Sequence, residues 1–345
     1  MSRSLGARPV IALDAMGGDD APDAIVAGAV AAKAAGFEVI LVGDEPRVRA
    51  CLPAGIDLPI VHAPTVVAMD DKPLAAKRLD DSSIRRTLGL IRAGRATAAV
   101  SCGNSGATLF AAVLELGKAP GVDRPAIATS LPRADGGTLY LCDVGTTTDP
   151  EPHHLASFAL LGDAYARTMG VARPRVGLLS NGEERGKGNR VVQEAWALLE
   201  KLPIHFVGNV EPDDAFRGAC DVLVSDGFTG NVLIKTVEGT VAMMKAFAMA
   251  KVEGSLRAKA GALLLRPALH ALRDELDWRA RGGALMLGVP APVVVGHGRS
   301  DPEAVRAAIG LAHYASEHGL VEAVAKAVSS ATESTPSAAD AQGTV

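Results

Sequence analysis

Aromatic side chains make up only 3% of this 345-residue chain, which leaves it without the stacking platforms that single-stranded nucleic acids require. The formal charge of -4 offers no long-range attraction to a polyanion either. No nucleic-acid partner is expected. Cysteine is scarce: Cys51, Cys102, Cys142 and Cys220 lie far apart and fit no zinc spacing, so buried thiols in a reducing compartment are expected. Uninterrupted apolar stretches fall short of the ~20 residues a spanning helix needs. The basic start, Met1 to Arg8, runs into Asp14 and Gly17-Gly18 rather than into a secretory core. The expectation is a soluble protein whose hydrophobic residues, 48% of the chain, build a large core from Ala, Val, Leu and Ile.

What the chain has in quantity is glycine, set just past short apolar runs. Val10 to Leu13 reads as a strand, followed by a glycine turn, a helix from about Pro22 to Ala35 and a strand over Glu38 to Val42. That order is the unit of a parallel sheet covered by helices. Ala98 to Cys102, Arg175 to Ser180, Ile204 to Val207, Val222 to Ser225 and Ala291 to Val295 read as further strands, each handing over to a helical pattern. Ala126 to Leu131 and Thr138 to Cys142 flank Gly136-Gly137, which predicts a hairpin at an antiparallel edge. A helical region from Gly230 to about Ala250 continues past Gly254 to Leu276. The fold expected is three-layer α/β/α with a mainly parallel sheet. It is read as one unit over 1–328, two closely fused lobes sharing a cleft, before a disordered Ser-, Ala- and Thr-rich tail over 329–345.

Strand ends that pass through glycine into a helix expose backbone N–H groups, which bind phosphate and other oxyanions. Four loops have that form. The first, Asp14 to Asp20 with Gly17, Gly18 and Asp19, has the wrong glycine spacing for a dinucleotide and lacks the Gly-Lys-Ser/Thr ending of an ATP loop. The second is Gly103-Asn104-Ser105-Gly106, with Ser105 read as the helix cap. The third, Asn181 to Asn189, offers Lys187 as a point charge, Arg185 as a forked donor, Gly188 for close approach and Asn189 as a cap. In the fourth, Asp226 to Asn231, Thr229 and Asn231 orient an anion and Asp226 positions a partner, with Thr229 or Gly230 as the cap. Asn209 and the Gly296–Asp301 turn, with His297 and Arg299, complete the candidate cleft. Adjacent His153 and His154 suggest metal, yet no carboxylate is fixed near them by spacing, and no metal site is assigned. From Lys251 to Arg281 the local charge is +3, and Arg257, Lys259, Arg266 and Arg273 stand among Leu263, Leu264 and Leu265. Such a helix buries its leucines in a subunit contact or lays them on a lipid surface.

Together these loops, with Met69 to Pro73, Gly208 to Glu211 and Gly282-Gly283-Ala284, resemble the bacterial phosphate acyltransferase family of phospholipid synthesis. The match is spread over Val10 to Asp301, and departs from the family in carrying Asp20 where a histidine is common. The resemblance implies a fold like the isocitrate dehydrogenase and phosphotransacetylase group, a homodimer, and a cytoplasmic enzyme peripherally associated with the inner face of the membrane. The activity implied is transfer of a fatty acyl group from acyl-(acyl carrier protein) to inorganic phosphate, without a cofactor. The acyl phosphate then feeds a glycerol-phosphate acyltransferase. The residues expected at the chemistry are Asp14, Asn104, Lys187, Asp226 and Asn231, with Lys187 neutralising phosphate charge. Arg257, Lys259, Arg266 and Arg273, with Leu263 to Leu265, are expected to meet either the acidic carrier protein or the membrane. A phosphotransacetylase-like enzyme using acyl-coenzyme A, or a non-catalytic phosphate or lipid binder, remains as an alternative.

Overall fold

The computed structural model describes residues 8–276 and 281–334. The strands begin with β1 (Val10–Asp14), β2 (Glu38–Gly43), β3 (Ile60–His62), β4 (Ala98–Ser101), β5 (Ala126–Pro132) and β6 (Thr138–Cys142). They continue with β7 (Arg175–Leu179), β8 (His205–Val210), β9 (Val222–Val224), β10 (Ala284–Leu287) and β11 (Val293–Val295). Helices α1 (Asp23–Ala34), α2 (Glu45–Ala50), α3 (Ala75–Arg78), α4 (Ser83–Arg92), α5 (Ser105–Leu116) and α6 (Pro152–Thr168) alternate with them. So do α7 (Arg190–Leu199), α8 (Pro212–Arg217), α9 (Gly227–Glu253), α10 (Leu256–Leu264), α11 (Arg266–Leu276), α12 (Pro302–Glu317) and α13 (Leu320–Ser334).

All the strands join one sheet in the order β3-β2-β1-β4-β11-β10-β5-β6-β9-β7-β8. Both faces are covered, as the alternation along β1 shows. Ile11 and Leu13 pack into a core shared with α1 and α12, while Ala12 between them faces Leu90 of α4. The expected three-layer α/β/α architecture is what the chain forms. With so few aromatics, Tyr165 and Phe158 are the largest fully buried side chains among many aliphatic ones.

Strand direction positions the site. β1, β2, β3, β4 and β11 run parallel to one another, and so do β6, β9, β7 and β8. β10 is antiparallel to both β11 and β5, and β5 is antiparallel to β6. The two halves therefore run in opposite directions. One row of paired residues, Val100, Val294, Leu285, Ala128, Cys142, Val224 and Leu178, crosses seven strands. On that row β4 and β6 both reach their C-terminal ends within a residue or so, so the loops of the two halves face each other across β10 and β5. This arrangement is the topological switch at which open α/β sheets bind ligands.

Four details differ from the sequence reading. The Gly136-Gly137 turn does join an antiparallel pair, but β5 and β6 are central strands, because β10 and β9 flank them. β10 follows Gly282 and Gly283, whose φ of 78° and 98° turn the chain back into the sheet. Two helix caps lie one to four residues earlier than expected: Asn104 rather than Ser105 caps α5 through Ala107 N–H, and Asp226 rather than Thr229 or Gly230 caps α9. Finally, α13 continues through Ser329 to Ser334, where a tail was expected, because Val328 and Ala331 are buried. Residues 335–345 of that tail lie outside the described residues.

Candidate active site

Three loops of the first half are fused. Asp14, at the end of β1, is buried and accepts a hydrogen bond from Ser101 Oγ at 2.8 Å. Burial pushes its carboxyl up from the ordinary value, against hydrogen bonds from Ser83, Ser101 and the Met16 N–H. Gly17 abuts the next loop, since a Cβ there would lie 2.6 Å from the Gly103 nitrogen. Gly18 has φ of 118°, and the Asp19 N–H donates to the Gly298 carbonyl at 2.8 Å. These glycines are thus used for loop-on-loop packing, and Asp14 is a buried pin beneath them.

The loops of both halves open onto a cavity of about 480 Å³. Its floor is β5 and β10, through Ile127, Thr129, Leu131 and Ala284. One wall is α5, through Ser105 and Leu109. The other is α9, through Asn231, Ile234, Glu238 and Val241, which recur at helical spacing on one face. Gly145, Gly296, His297 and Arg299 line it as well, and Leu276 and Arg281 close it. Most of this surface is apolar, with polar groups at a few points, as expected of a small-molecule site.

His297 is half-buried, and burial together with Lys235 and Arg299 holds its imidazole below the usual range. Its Nδ1 accepts the Arg299 N–H at 3.1 Å, so the neutral ring carries its proton on Nε2. Lys235 pairs with Glu238 at 3.0 Å. The β6 loop is shaped by Asp143, a buried carboxylate that accepts N–H groups of Ile127, Gly145, Thr146 and Thr147. Burial pushes its carboxyl up while those bonds pull it down. Gly230 lets α9 settle on this loop, for a Cβ there would meet the Asp143 carbonyl oxygen at 2.1 Å. Asp143, Glu238 and Arg281 escaped the sequence reading. Only Asp143 carried a signal, a carboxylate at a strand end like Asp14.

The opposite face of α9 belongs to a second cavity of about 450 Å³, where Thr229, Leu233 and Thr236 meet Ser180, Gly188 and Asn189. The residues expected to share one crevice are therefore divided. Asn231 lines the first cavity. Lys187 adjoins Gly188 at the second, exposed and without an ion pair to any described residue. The amide of Asn104 is turned away, donating to the carbonyls of Ala68, Met69 and Asp71 at 3.2, 3.1 and 2.7 Å. Asn181 accepts the Gly188 N–H, Asn189 caps α7 through Val192 N–H, and Asn209 donates to the Glu184 carbonyl. These three amides brace the loop they were expected to arm. Arg185 is occupied by Glu200 at 2.8 Å and lies over the Trp196 ring. Asp226 and Thr229 are hydrogen-bonded to each other, at 2.6 Å between side chains.

Elsewhere, three cysteines are buried and Cys51 is partly so. Burial pushes the Cys102 thiol up to about 11 and the Cys220 thiol up to about 12, which makes them poor nucleophiles. Asp123, His153 and His154 cluster closely enough to suggest a metal site. The hydrogen bonds argue otherwise: His154 Nδ1 accepts the Glu151 N–H at 2.8 Å, so Nε2 must carry the proton that faces Asp123 Oδ2 at 2.9 Å. A metal would need that nitrogen bare.

The sequence profile described as "Fatty acid synthesis protein" matches residues 10–323. The chain belongs to this fatty acid synthesis protein family. A phosphate acyltransferase of Thermus thermophilus is 46% identical over 321 residues, 92% of this chain and 98% of that protein. One from Desulforudis audaxviator is 44% identical over 333 residues, 96% and 99% of the two chains. Among solved structures, a phosphotransacetylase from Streptococcus pyogenes superimposes with a TM-score of 0.63 at 18% identity, covering 90% of this chain and 95% of that one. A branched-chain phosphotransacylase from Enterococcus faecalis gives 0.56 at 15% identity, covering 89% and 99%. At such identities these two speak for the fold, and the fold of this fatty acid synthesis protein family member is theirs.

Proposed function

We propose that the first cavity transfers a fatty acyl group from the thioester of an acyl-(acyl carrier protein) to inorganic phosphate. The observation that carries this reading is the cavity's make-up. An apolar floor and walls suited to an alkyl chain meet Asn231, His297 and Arg299 where the loops of both sheet halves converge. The relatives named phosphate acyltransferase over nearly their whole length support it. A phosphate oxygen attacks the thioester carbonyl carbon, the tetrahedral oxyanion collapses, the C–S bond breaks, and the carrier thiolate leaves to take up a proton. Phosphate is already an oxygen nucleophile, so no enzyme nucleophile is required. The protein's task is to hold two anionic partners together and to aim donors at the oxyanion. Asn231 and the Nε2–H of neutral His297 are those donors, and Arg299 offsets phosphate charge. Lys187, next to Gly188 of the second cavity's lining, meets an anion that approaches before transfer.

Around the chemistry, α9 carries a second copy of the chain in a homodimer. The basic, leucine-bearing α10 and α11 rest against the inner face of the membrane, where a glycerol-phosphate acyltransferase consumes the acyl phosphate. The test is incubation of purified protein with long-chain acyl-(acyl carrier protein), with and without phosphate, following free carrier and acyl phosphate by mass spectrometry. Acyl-coenzyme A in a parallel arm identifies the alternative donor. Carrier release that ignores phosphate sinks the proposal, and binding without thioester loss makes the protein a sensor instead. Within an active enzyme, Arg299→Ala should raise KM for phosphate about tenfold, the loss of roughly 1.4 kcal/mol. Lys187→Ala should change it less than about threefold. The reverse pattern moves phosphate to the second cavity.

A further inference from the structure

Arg281 stands at the boundary of the first cavity with little to explain it. It is half-buried, and among the described residues its guanidinium donates one hydrogen bond, from Nη2 to the Glu275 carbonyl at 3.3 Å. Among the described residues it has no carboxylate partner. The acid in the cavity lining, Glu238, is already engaged by Lys235 at 3.0 Å. Among the described residues, the two arginines of the lining, Arg281 and Arg299, thus have no carboxylate paired with them, and neutral His297 stands beside them. Burial pushes the Arg281 guanidinium down from its ordinary value. A planar fork of donors in a partly dry, mostly apolar cleft suits one chemistry above others, bidentate binding of phosphoryl oxygens.

Its place along the sheet sharpens this. Arg281 lies near Tyr140, which pairs with Ser130 on β5, and it shares the lining with Ser130 and Leu131. Asn231 lies beside Gly145, near Ile127 at the other end of β5. Four residues of strand separate Ile127 from Leu131, about 13 Å at the usual rise. Arg281 is thus well removed from the Asn231 end, and the cavity offers room for a phosphoryl group beyond the one that reacts.

We propose that Arg281 is a specificity-determining residue that binds a phosphoryl anion in the first cavity, either inorganic phosphate or the phosphoryl group on the arm of the acyl donor. This deepens the acyl-transfer reading and rests on it for the donor, but the binding itself is measurable without turnover.

The experiment uses the full chain and two variants, Arg281→Met, which keeps length and apolar packing, and Arg281→Lys, which keeps charge but loses the fork. Inorganic phosphate binding is read by calorimetry with no donor present. KM is then read for phosphate, for acyl-phosphopantetheine and for acyl-pantetheine, which lacks the phosphoryl group. If free phosphate is the ligand, Arg281→Met weakens phosphate binding and raises its KM at least tenfold. If the donor's arm is the ligand, KM rises at least tenfold for acyl-phosphopantetheine and stays within threefold for acyl-pantetheine. In either case KM moves more than kcat, and Arg281→Lys recovers part of the loss. Changes under threefold in calorimetry and in all three constants overturn the proposal. Should Arg281→Met fail to fold, Arg281→Lys is read by the same measures, with a threefold or greater loss expected. A wild-type protein that binds phosphate through Arg281 yet turns over no donor defeats the acyl-transfer reading and leaves this one standing.

Discussion

Single residues around the cleft show how polar side chains are divided between holding loops and meeting a ligand. Asn104, Asn181, Asn189 and Asn209 all spend their amides on backbone groups. Those bonds fix the loop backbone, which has few partners of its own within regular structure. The same economy governs Asp221, whose carboxylate accepts from Arg133 at 2.5 Å and from the Arg175 side chain and N–H at 3.0 and 2.9 Å. It ties the ends of β5, β7 and β9 together. Burial opposes ionisation, yet hydrogen bonds from Arg175 and Arg133 hold this carboxyl far below the usual range. Asp221→Asn should cost on the order of 3 kcal/mol, because two partly buried guanidinium groups lose their partner. The sign with pH follows from the depressed value. Asp221 stabilises fully above the unfolded value near 3.8, and its contribution is lost as pH falls through the lower folded value. Denaturant unfolding of both proteins should give a constant gap between about pH 5 and 8 that narrows in more acid solution. A gap that widens on acidification would contradict it.

At the scale of elements, much was legible because apolar runs and glycine breaks are local signals. β1, α1 and β2 are legible as apolar runs set off by turn residues, and so are the glycine loops that lead from strand into helix. β10 could not, because Ala284 to Leu287 offers a short run between glycines whose role depends on a strand far away in sequence. The sharing of one crevice by Lys187 and Asn231 also failed for a local reason. A helix presents residues two positions apart to different faces, so Thr229 and Asn231 of α9 line separate cavities. α9 itself is unusual: over 27 residues, only Gly227 and Gly230 are buried. Met243, Met244 and Phe247, which share one face, are each half exposed or more, Phe247 at 64%. A face of that kind on a protruding helix marks an interaction surface. If a second copy covers it, Met244→Glu with Phe247→Glu should convert the dimer to monomer in light scattering, since each buried side chain contributes roughly 1.5–3 kcal/mol to such a contact. A dimer that survives both charges removes α9 from the interface.

For the whole molecule, the opposed halves of the sheet put the cleft at the centre, and α9, α10 and α11 form an arm that leaves it at Asn231 and returns at Leu276. No helix among the described residues is long and apolar enough to cross a membrane. The arm is nonetheless the place where apolar side chains reach furthest into solvent: no residue of α10 or α11 is buried, and Leu264 is 83% exposed. Beside it stand Arg257, Lys259, Arg266 and Arg273. Two separable contributions to lipid binding are expected from that pairing. Leucines entering the acyl boundary act through area and are indifferent to salt. Cations facing anionic headgroups contribute about 1 kcal/mol each and are screened within a Debye length. Vesicles with and without anionic lipid can tell these apart. Leu263→Ser with Leu264→Ser, which leaves the charge unchanged, should weaken sedimentation with anionic vesicles about a hundredfold at any ionic strength, at roughly 1.5 kcal/mol or more per leucine. Neutralising Arg257, Lys259, Arg266 and Arg273 should abolish the preference for anionic over neutral vesicles and flatten the salt dependence. Because none of these residues lines the first cavity, both sets of variants should keep phosphate-dependent turnover of a soluble donor, which separates lipid contact from catalysis. Unchanged vesicle binding by the leucine variant, with the dimer intact, would place those leucines elsewhere, against protein instead of lipid.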